Sequence, residues 1–157
     1  MAHVELSLSE AFVSRDQPPP EPDTFDAFDT FTRWSATVAG AAEPCLVIDA
    51  KTTITAISRS CCQLLGLGAP GEAVGRPLLD GGIRLLDFTA ARGELTEQDV
   101  DKIPPLLALS SGRLARGLLR VGRPGLGEPT DATVDAIATP LLDQGHVAGS
   151  LTFLSEV

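Results

Sequence analysis

The sequence predicts an α+β domain in which a five-stranded antiparallel sheet carries short helices on one face and an N-terminal helix. Two observations predict this class. Runs of strand-forming residues are separated from runs of helix-forming residues, which is typical of α+β folds rather than of parallel α/β sheets. Two joints between strands are short hairpin connections, at Lys51 and at Asp143–Gly145, and such connections join antiparallel neighbours.

Composition and charge narrow the classes of function. The 157 residues are 43% apolar and only 4% aromatic, with no Tyr and a single Trp. A net charge of -9, without clusters of Lys and Arg, argues against a nucleic-acid partner, because phosphates are bound by clustered cations. No apolar run approaches the roughly 20 residues that cross a bilayer. No signal peptide opens the chain, so we expect a cytoplasmic protein with no membrane partner.

The first 22 residues are expected to form a flexible acidic tail and a Pro-rich spacer, with the spacer at QPPPEP (17–22). Residues 1–44 carry eight acidic side chains and two basic ones, so most of the acidic excess lies there. We interpret this excess as solubilising, with a basic partner surface as the alternative.

An amphipathic helix is predicted over residues 23–42, with Asp23 or Thr24 as its N-cap. Its apolar side chains fall on one stripe: Phe28, Phe31, Trp34 and Val38. Two interpretations stay open. The stripe packs on the helix's own domain, or it is the surface that binds a second copy or a separate signalling protein.

A single domain is predicted over residues 43–157. Its first half contains two strands, a short helix and a turn-rich segment with one helical turn, in this order: CLVIDA (45–50), TTITAIS (52–58), 58–68 and 69–82. Ser58 is the predicted N-cap of the helix, and Gly66 or Gly68 ends it. The pattern over residues 82–88 fits more than one kind of element.

The second half of this domain is predicted to contain two short helices and then three strands. Thr96 marks the start of one helix, and Pro104-Pro105 marks the start of the next, since Pro is tolerated in a first turn. The three strands close the chain: 115–122, 131–143 and 146–157. The residues Asp143-Gln144-Gly145 predict a tight hairpin turn between the last two.

These landmarks, taken in order, resemble those of a PAS domain. The strand ending in Asp49, the helix ending in Gly66 and the element Gly75-Arg76-Pro77 are similar to its first half, and ATPLLDQGHVAGSLTFLSEV is similar to its closing hairpin. The resemblance covers residues 45–157 and implies a PAS-like sheet in a sensory or regulatory protein. PAS domains commonly have Asn where Ser58 stands, and Ser can cap the following helix in the same way.

The resemblance leaves the cofactor unknown, because PAS domains bind haem, flavin, small metabolites or nothing. Haem is disfavoured, since an axial ligand is usually His and the sequence offers His3 in the tail and His146 beside a hairpin turn. Flavin photochemistry is also disfavoured. The segment Pro77–Asp80 follows the Gly-Arg pair where photoreactive relatives have an Asn-Cys sequence.

Two adjacent cysteines, Cys61 and Cys62, raise the question of redox or metal chemistry. No metal is expected, because a thiolate site needs more ligands than this spacing supplies. Free Cys is more often a small buried side chain than a reactive thiol, which favours a structural role. A thiol redox sensor stays open as an alternative.

No catalytic residues are predicted, because two peripheral histidines cannot complete a Ser-His-acid or Cys-His arrangement. Six residues are the candidate lining of a ligand pocket between the sheet and the short helices, and they would equally fill a core: Ile57, Cys61, Leu65, Leu119, Ile137 and Phe153. The predicted function is therefore a non-enzymatic PAS-type sensory or regulatory domain that acts through dimerisation or a partner protein, with a small apolar ligand as one option. A protein-interaction adaptor with a filled core is the other alternative.

Overall fold

The computed structural model describes residues 25–79, 83–124, 127 and 130–157, with the side chains of 25–30 excepted. The predicted tail and spacer, residues 1–22, therefore lie outside the described residues. Among the described residues the helices are α1 (Phe25–Ala39), α2 (Arg59–Leu65), α3 (Pro70–Ala73), α4 (Glu97–Val100) and α5 (Pro104–Ser111). The strands are β1 (Cys45–Asp49), β2 (Ile54–Ile57), β3 (Arg84–Leu86), β4 (Ala115–Arg123), β5 (Thr130–Asp143) and β6 (His146–Glu156).

The strands form one antiparallel sheet in the order β2-β1-β6-β5-β4-β3. This confirms the predicted α+β class and all five predicted strands. The prediction of five strands misses a sixth, β3, which is three residues long and pairs with β4 through Arg84 opposite Gly122. It lies within the segment 82–88, whose pattern fits more than one element.

Local side-chain signals set the ends of the helices as predicted. The Ser58 hydroxyl accepts a hydrogen bond from the Cys61 amide and caps α2, which ends at Gly66 in the left-handed conformation with φ 70°. Thr96 caps α4 by accepting from the Asp99 amide. Helix α5 begins at Pro104.

The hairpin between β5 and β6 also has the predicted turn. Gln144 and Gly145 both have positive φ, 50° and 78°, as a two-residue type I′ turn requires. Asp143 and His146 are the last facing pair before it. This tight turn sets the register of the two longest strands.

The segment from Gly75 to Leu78 lies along the free edge of β2. Gly75, with φ 89°, donates its amide to the Ile54 carbonyl at 2.8 Å, and the Ile54 amide donates to the Arg76 carbonyl at 2.9 Å. The Leu78 side chain is buried. This Gly-Arg-Pro element is therefore a structural cover for an edge strand, whose unpaired backbone groups would otherwise be exposed.

The sheet has a layer on each side. Helices α2, α3 and α5 cover one face, here called the inner face, and the largest core cluster lies beneath them. Helix α1 packs against β1, β2 and β5 on the opposite, outer face, over a second and smaller cluster. Among the described residues, α1 is therefore the one helix that covers the outer face of the six-stranded sheet.

Candidate functional site

The apolar stripe of α1 is divided between the protein's own core and the surface. Val38 is buried against the outer face, and Phe31 is partly buried in the same cluster. Trp34 keeps 40% of its surface exposed. Phe28 lies in α1, but its side chain falls outside the described residues. The stripe thus packs on its own domain through Val38 and Phe31 and presents Trp34 outward.

A glycine in β6 makes room for α1. A Cβ built on Gly149 would collide with the Ile48 carbonyl oxygen and would stand 2.8 Å from the Phe31 ring. Gly149 lies opposite Asp49 in β1, at the place where α1 crosses the sheet. The absence of a side chain at this position allows the Phe31 ring to approach the backbone of the sheet.

Beside α1, large apolar side chains lie on the uncovered part of the outer face. Ile137 and Phe153 are directly opposite each other in β5 and β6 and are 37% and 45% exposed. Leu118 on β4 lies opposite Asp135 and is 53% exposed. Side chains two residues apart on a strand share a face, so Leu118 is on the same side as Ile137. We call Leu118, Ile137 and Phe153 the outer strip.

An ion pair lies beside Ile137 of the outer strip. The Arg116 guanidinium donates to the Asp135 carboxylate, with 2.6 Å between Nη2 and Oδ2, and Arg116 lies directly opposite Ile137. The hydrogen bond lowers the pKa of Asp135 and raises that of Arg116. The apolar side chains of the outer strip therefore have charged side chains of both signs beside them.

Four of the six predicted pocket residues come together in the inner core. Ile57, Cys61, Leu65 and Leu119 are all buried members of one packed cluster between α2 and the sheet. The other two, Ile137 and Phe153, do not face this core, and their predicted place beside the other four is wrong. The alternation of β5 and β6 turns Ala136 and Leu154 inward and leaves Ile137 and Phe153 on the outer face.

Helix α5 sits close to the inner face because small residues lie at the contact. Ala108 of α5 packs with Ala115 and Ala138 of the sheet, and all three are buried. The Ser150 hydroxyl donates a 2.9 Å hydrogen bond to the Pro105 carbonyl in the first turn of α5. This contact fixes α5 directly on the strands.

One polar side chain on the inner face stands apart. The hydroxyl of Thr152 is buried and has no hydrogen-bond partner among the described residues. Thr152 lies between Leu46 and Ala138 on the neighbouring strands. A buried hydroxyl without a partner carries a desolvation cost.

The thiols are placed where reactivity is disfavoured. Cys45, Cys61 and Cys62 are free and buried, and burial raises the pKa of each. The thiolate is the nucleophilic form, so a raised pKa keeps these groups protonated and unreactive. This placement agrees with the structural role favoured for Cys61 and Cys62.

Within the described ranges, no group of three or more His, Cys, Asp or Glu side chains is placed to hold a metal ion. His146 is exposed at the β5–β6 turn. Within the part of the chain that the structure describes, no helix combines the length and the apolar character needed to cross a membrane.

The candidate residues predicted from the sequence do not include Leu118, although the strand pattern contains a signal for it. Leu118 and Leu119 are consecutive in a strand, and consecutive side chains point to opposite faces. One of the two must therefore face outward, and the structure places Leu119 in the core and Leu118 on the surface. The exposed strand face extends the surface that the sequence assigned to α1 alone.

No protein-family model matches the sequence, and no curated protein matches it. Solved structures do. The PAS domain of a protein from Colwellia psychrerythraea superposes with a TM-score of 0.56 at 14% identity, over 82% of this chain and 98% of that one. A VqmA dimer from Vibrio cholerae gives 0.56 at 14% identity, over 83% of this chain and 51% of that one.

The LOV domain of the blue-light photoreceptor Aureochrome1 gives a TM-score of 0.53 at 20% identity, over 74% of this chain and 83% of that one. At these identities the likeness concerns the fold. The antiparallel sheet with its short helices has the overall arrangement of PAS and LOV domain structures. The chain is therefore a domain with the PAS fold.

Proposed function

We propose that this domain is a non-enzymatic sensory or regulatory module that acts by protein–protein contact, and that its outer strip binds a second copy of the chain. The observation that carries the proposal is the exposed pair Ile137 and Phe153 in the middle of the sheet face on which α1 packs, a helix that presents the half-exposed Trp34. Clustered apolar side chains that stay exposed mark interaction sites more often than isolated ones do.

Burial of this surface gives a driving force of useful size. Complete burial of one Phe or Ile side chain contributes about 1.5–3 kcal/mol relative to its exposed state. Ile137, Phe153 and Leu118 are already partly covered, so each would contribute a fraction of that amount. In a two-fold contact the same side chains are buried in both copies, so their contributions count once for each copy. The outer strip therefore supplies a substantial part of the free energy of a weak dimer.

The charges beside the outer strip favour a second copy as the occupant. Arg116 and Asp135 lie on the same face, and the Arg116 side chain is 65% exposed. A two-fold contact centred on the outer strip brings the cation of one copy toward the anion of the other. A structure with this fold, VqmA from Vibrio cholerae, is described as a dimer, which is further support by analogy.

A small ligand in the inner core is the second candidate. The observation that favours it is the buried, unpaired Thr152 hydroxyl. VqmA is also described as bound to DPO, which supports a ligand by analogy. In this chain two features favour a filled core. The side chains between α2 and the sheet form a packed cluster, and α5 lies close to the inner face; the cluster includes Ile57, Cys61, Leu65 and Leu119.

Oligomeric state tests the proposal. Multi-angle light scattering over a range of concentrations should give a dimer for the wild type and a monomer for Phe153→Glu and Trp34→Glu. Val74, on the loop after α3, is 44% exposed, so Val74→Glu is a matched control that should stay dimeric. A wild type that is monomeric throughout, or a Phe153→Glu variant that dimerises as well as Val74→Glu, would refute the proposed contact.

A further inference from the structure

A groove runs between α1 and the end of the β5–β6 hairpin, beside the outer strip, and shares Trp34 with the proposed dimer surface. Its volume is about 300 Å³, and mostly apolar side chains line it: Phe31, Trp34, Thr139, Pro140, Leu141, Leu142, Asp143 and Ala148. Leu142 is 57% exposed. The groove is therefore an open apolar channel with a single carboxylate among its walls.

That carboxylate is incompletely paired. The Oδ1 atom of Asp143 is buried from solvent and has no hydrogen-bond partner among the described residues. An ionised oxygen in such a place loses hydration without gaining a partner, which destabilises it. Rotation of the carboxylate toward the groove, together with a cation bound there, would restore the lost interaction.

The rest of the groove suits the stem of a long cationic side chain. Lys and Arg carry an apolar stem that covers apolar surface and a charged head that needs an anion. Trp34 lines the same groove and is partly exposed, and an indole face attracts a cation placed over it. Two aromatic rings, apolar walls and one carboxylate are together the complement of such a side chain.

We infer that this groove binds a Lys or Arg side chain from a basic segment of a partner protein. Charge complementarity identifies the partner's chemistry. The chain carries 21 acidic and 12 basic side chains, with a net charge of -9, so a basic partner is attracted. The groove shares Trp34 with the proposed dimer surface, but binding of a basic segment there does not require the dimer contact.

Nuclear magnetic resonance of the full chain tests the inference with two peptides. The probe is Ac-Gly-Leu-Lys-Leu-Gly-NH₂, and the matched control peptide has norleucine in place of Lys. The lysine peptide should shift the Trp34 indole resonance in a saturable manner. Asp143→Asn should weaken its binding by about tenfold or more, as expected for the loss of a charge-assisted contact. Asp101→Asn, at an exposed carboxylate far along the sequence, should leave it unchanged.

Three results would overturn the inference. The Trp34 resonance does not respond to the lysine peptide, the norleucine peptide binds equally well, or Asp143→Asn binds like the wild type. If the Trp34 resonance of the Phe153→Glu variant, which lacks the dimer contact, shifts with protein concentration alone, the occupant of the groove is a second copy and the basic partner is wrong. The same titration in Phe153→Glu separates the two proposals, because the peptide should still bind there even though the dimer contact is removed.

Discussion

Ile137 and Phe153 lie directly opposite each other in the centre of the sheet, on the face that α1 leaves uncovered. Cys45 of β1, which lies opposite Phe153 on the other side of β6, is buried beneath α1. The outer face thus changes within one row of side chains from a covered core to an exposed apolar surface. This boundary is what makes the outer strip the strongest candidate for a contact with a second molecule.

The close packing of α1 against the sheet should depend on Gly149. Replacing it with Ala places a methyl group against the Ile48 carbonyl and the Phe31 ring. Overpacking of this kind costs about 1–3 kcal/mol, so Gly149→Ala should lower the free energy of unfolding by that amount in urea titrations.

Gly71→Ala is the matched control for this substitution. Gly71 lies in α3, and a Cβ there meets no atom within 4 Å. Ala at such a position should leave stability unchanged or raise it by about 0.4–1 kcal/mol. Equal effects of Gly149→Ala and Gly71→Ala would contradict the close contact between α1 and β6.

Two neighbouring hydroxyls on β6 should respond in opposite directions to removal. Ser150→Ala deletes the hydrogen bond to the Pro105 carbonyl and should cost about 1 kcal/mol, with faster hydrogen exchange in α5. Thr152→Val removes an unpaired hydroxyl without changing shape and should be neutral or stabilising. Thermal unfolding of the two variants measures both effects. If Thr152→Val instead destabilises the domain by more than about 1 kcal/mol, its hydroxyl binds a water or a ligand.

The ion pair between Arg116 and Asp135 should contribute to stability only above acidic pH. Hydrogen bonding to Arg116 lowers the pKa of Asp135 in the folded chain. The contribution of the ion pair to stability is therefore complete above a pH of about 4, the pKa of Asp in the unfolded chain. It disappears as the pH falls through the lower pKa of Asp135 in the folded chain. Asp135→Asn should lower the urea midpoint slightly at pH 7, and the difference from the wild type should vanish toward pH 2.

Arg116→Gln should reproduce the effect of Asp135→Asn at neutral pH, and the double variant should be no less stable than either single one. A difference between wild type and Asp135→Asn that persists at pH 2 would show that the carboxylate acts through something other than this pair.

The native thiols should react slowly. Burial raises the pKa values of Cys45, Cys61 and Cys62, so labelling with Ellman's reagent at pH 7 should be far slower in the folded chain than in denaturant. Rapid labelling of one thiol in the folded chain would support the redox-sensor alternative and would refute a purely structural role for the cysteines.

The sequence was sufficient wherever a local signal sets a local structure. The Ser58 cap, the start of α5 at Pro104 and the turn at Gln144-Gly145 each depend on residues a few positions apart. The order of these landmarks was enough to predict the PAS fold. The short strand β3 was missed because three edge residues carry too little pattern to identify them.

The outward orientation of Ile137 and Phe153 could not be predicted from the sequence, because large apolar side chains are expected to face the core. In β5 the inward side chains include Ala136 and Ala138, which are small, whereas the larger Ile137 faces outward. Small residues suit the inner face because α5 packs close to it. The distance between α5 and the sheet is a property of the tertiary structure, and the alternation of residues in one strand does not indicate it.

Cross-linking between two copies tests the outer-strip contact most directly. Ser155 is exposed, lies beside Phe153 on the outer face and opposite Asp135, and Ser110 is an exposed residue of α5 in the opposite layer. Because the native thiols are buried, a short bismaleimide should react at the introduced cysteine. Ser155→Cys should give a covalent dimer and Ser110→Cys should not. Equal cross-linking of the two variants, or none for Ser155→Cys at any concentration, would contradict a dimer formed through the outer strip.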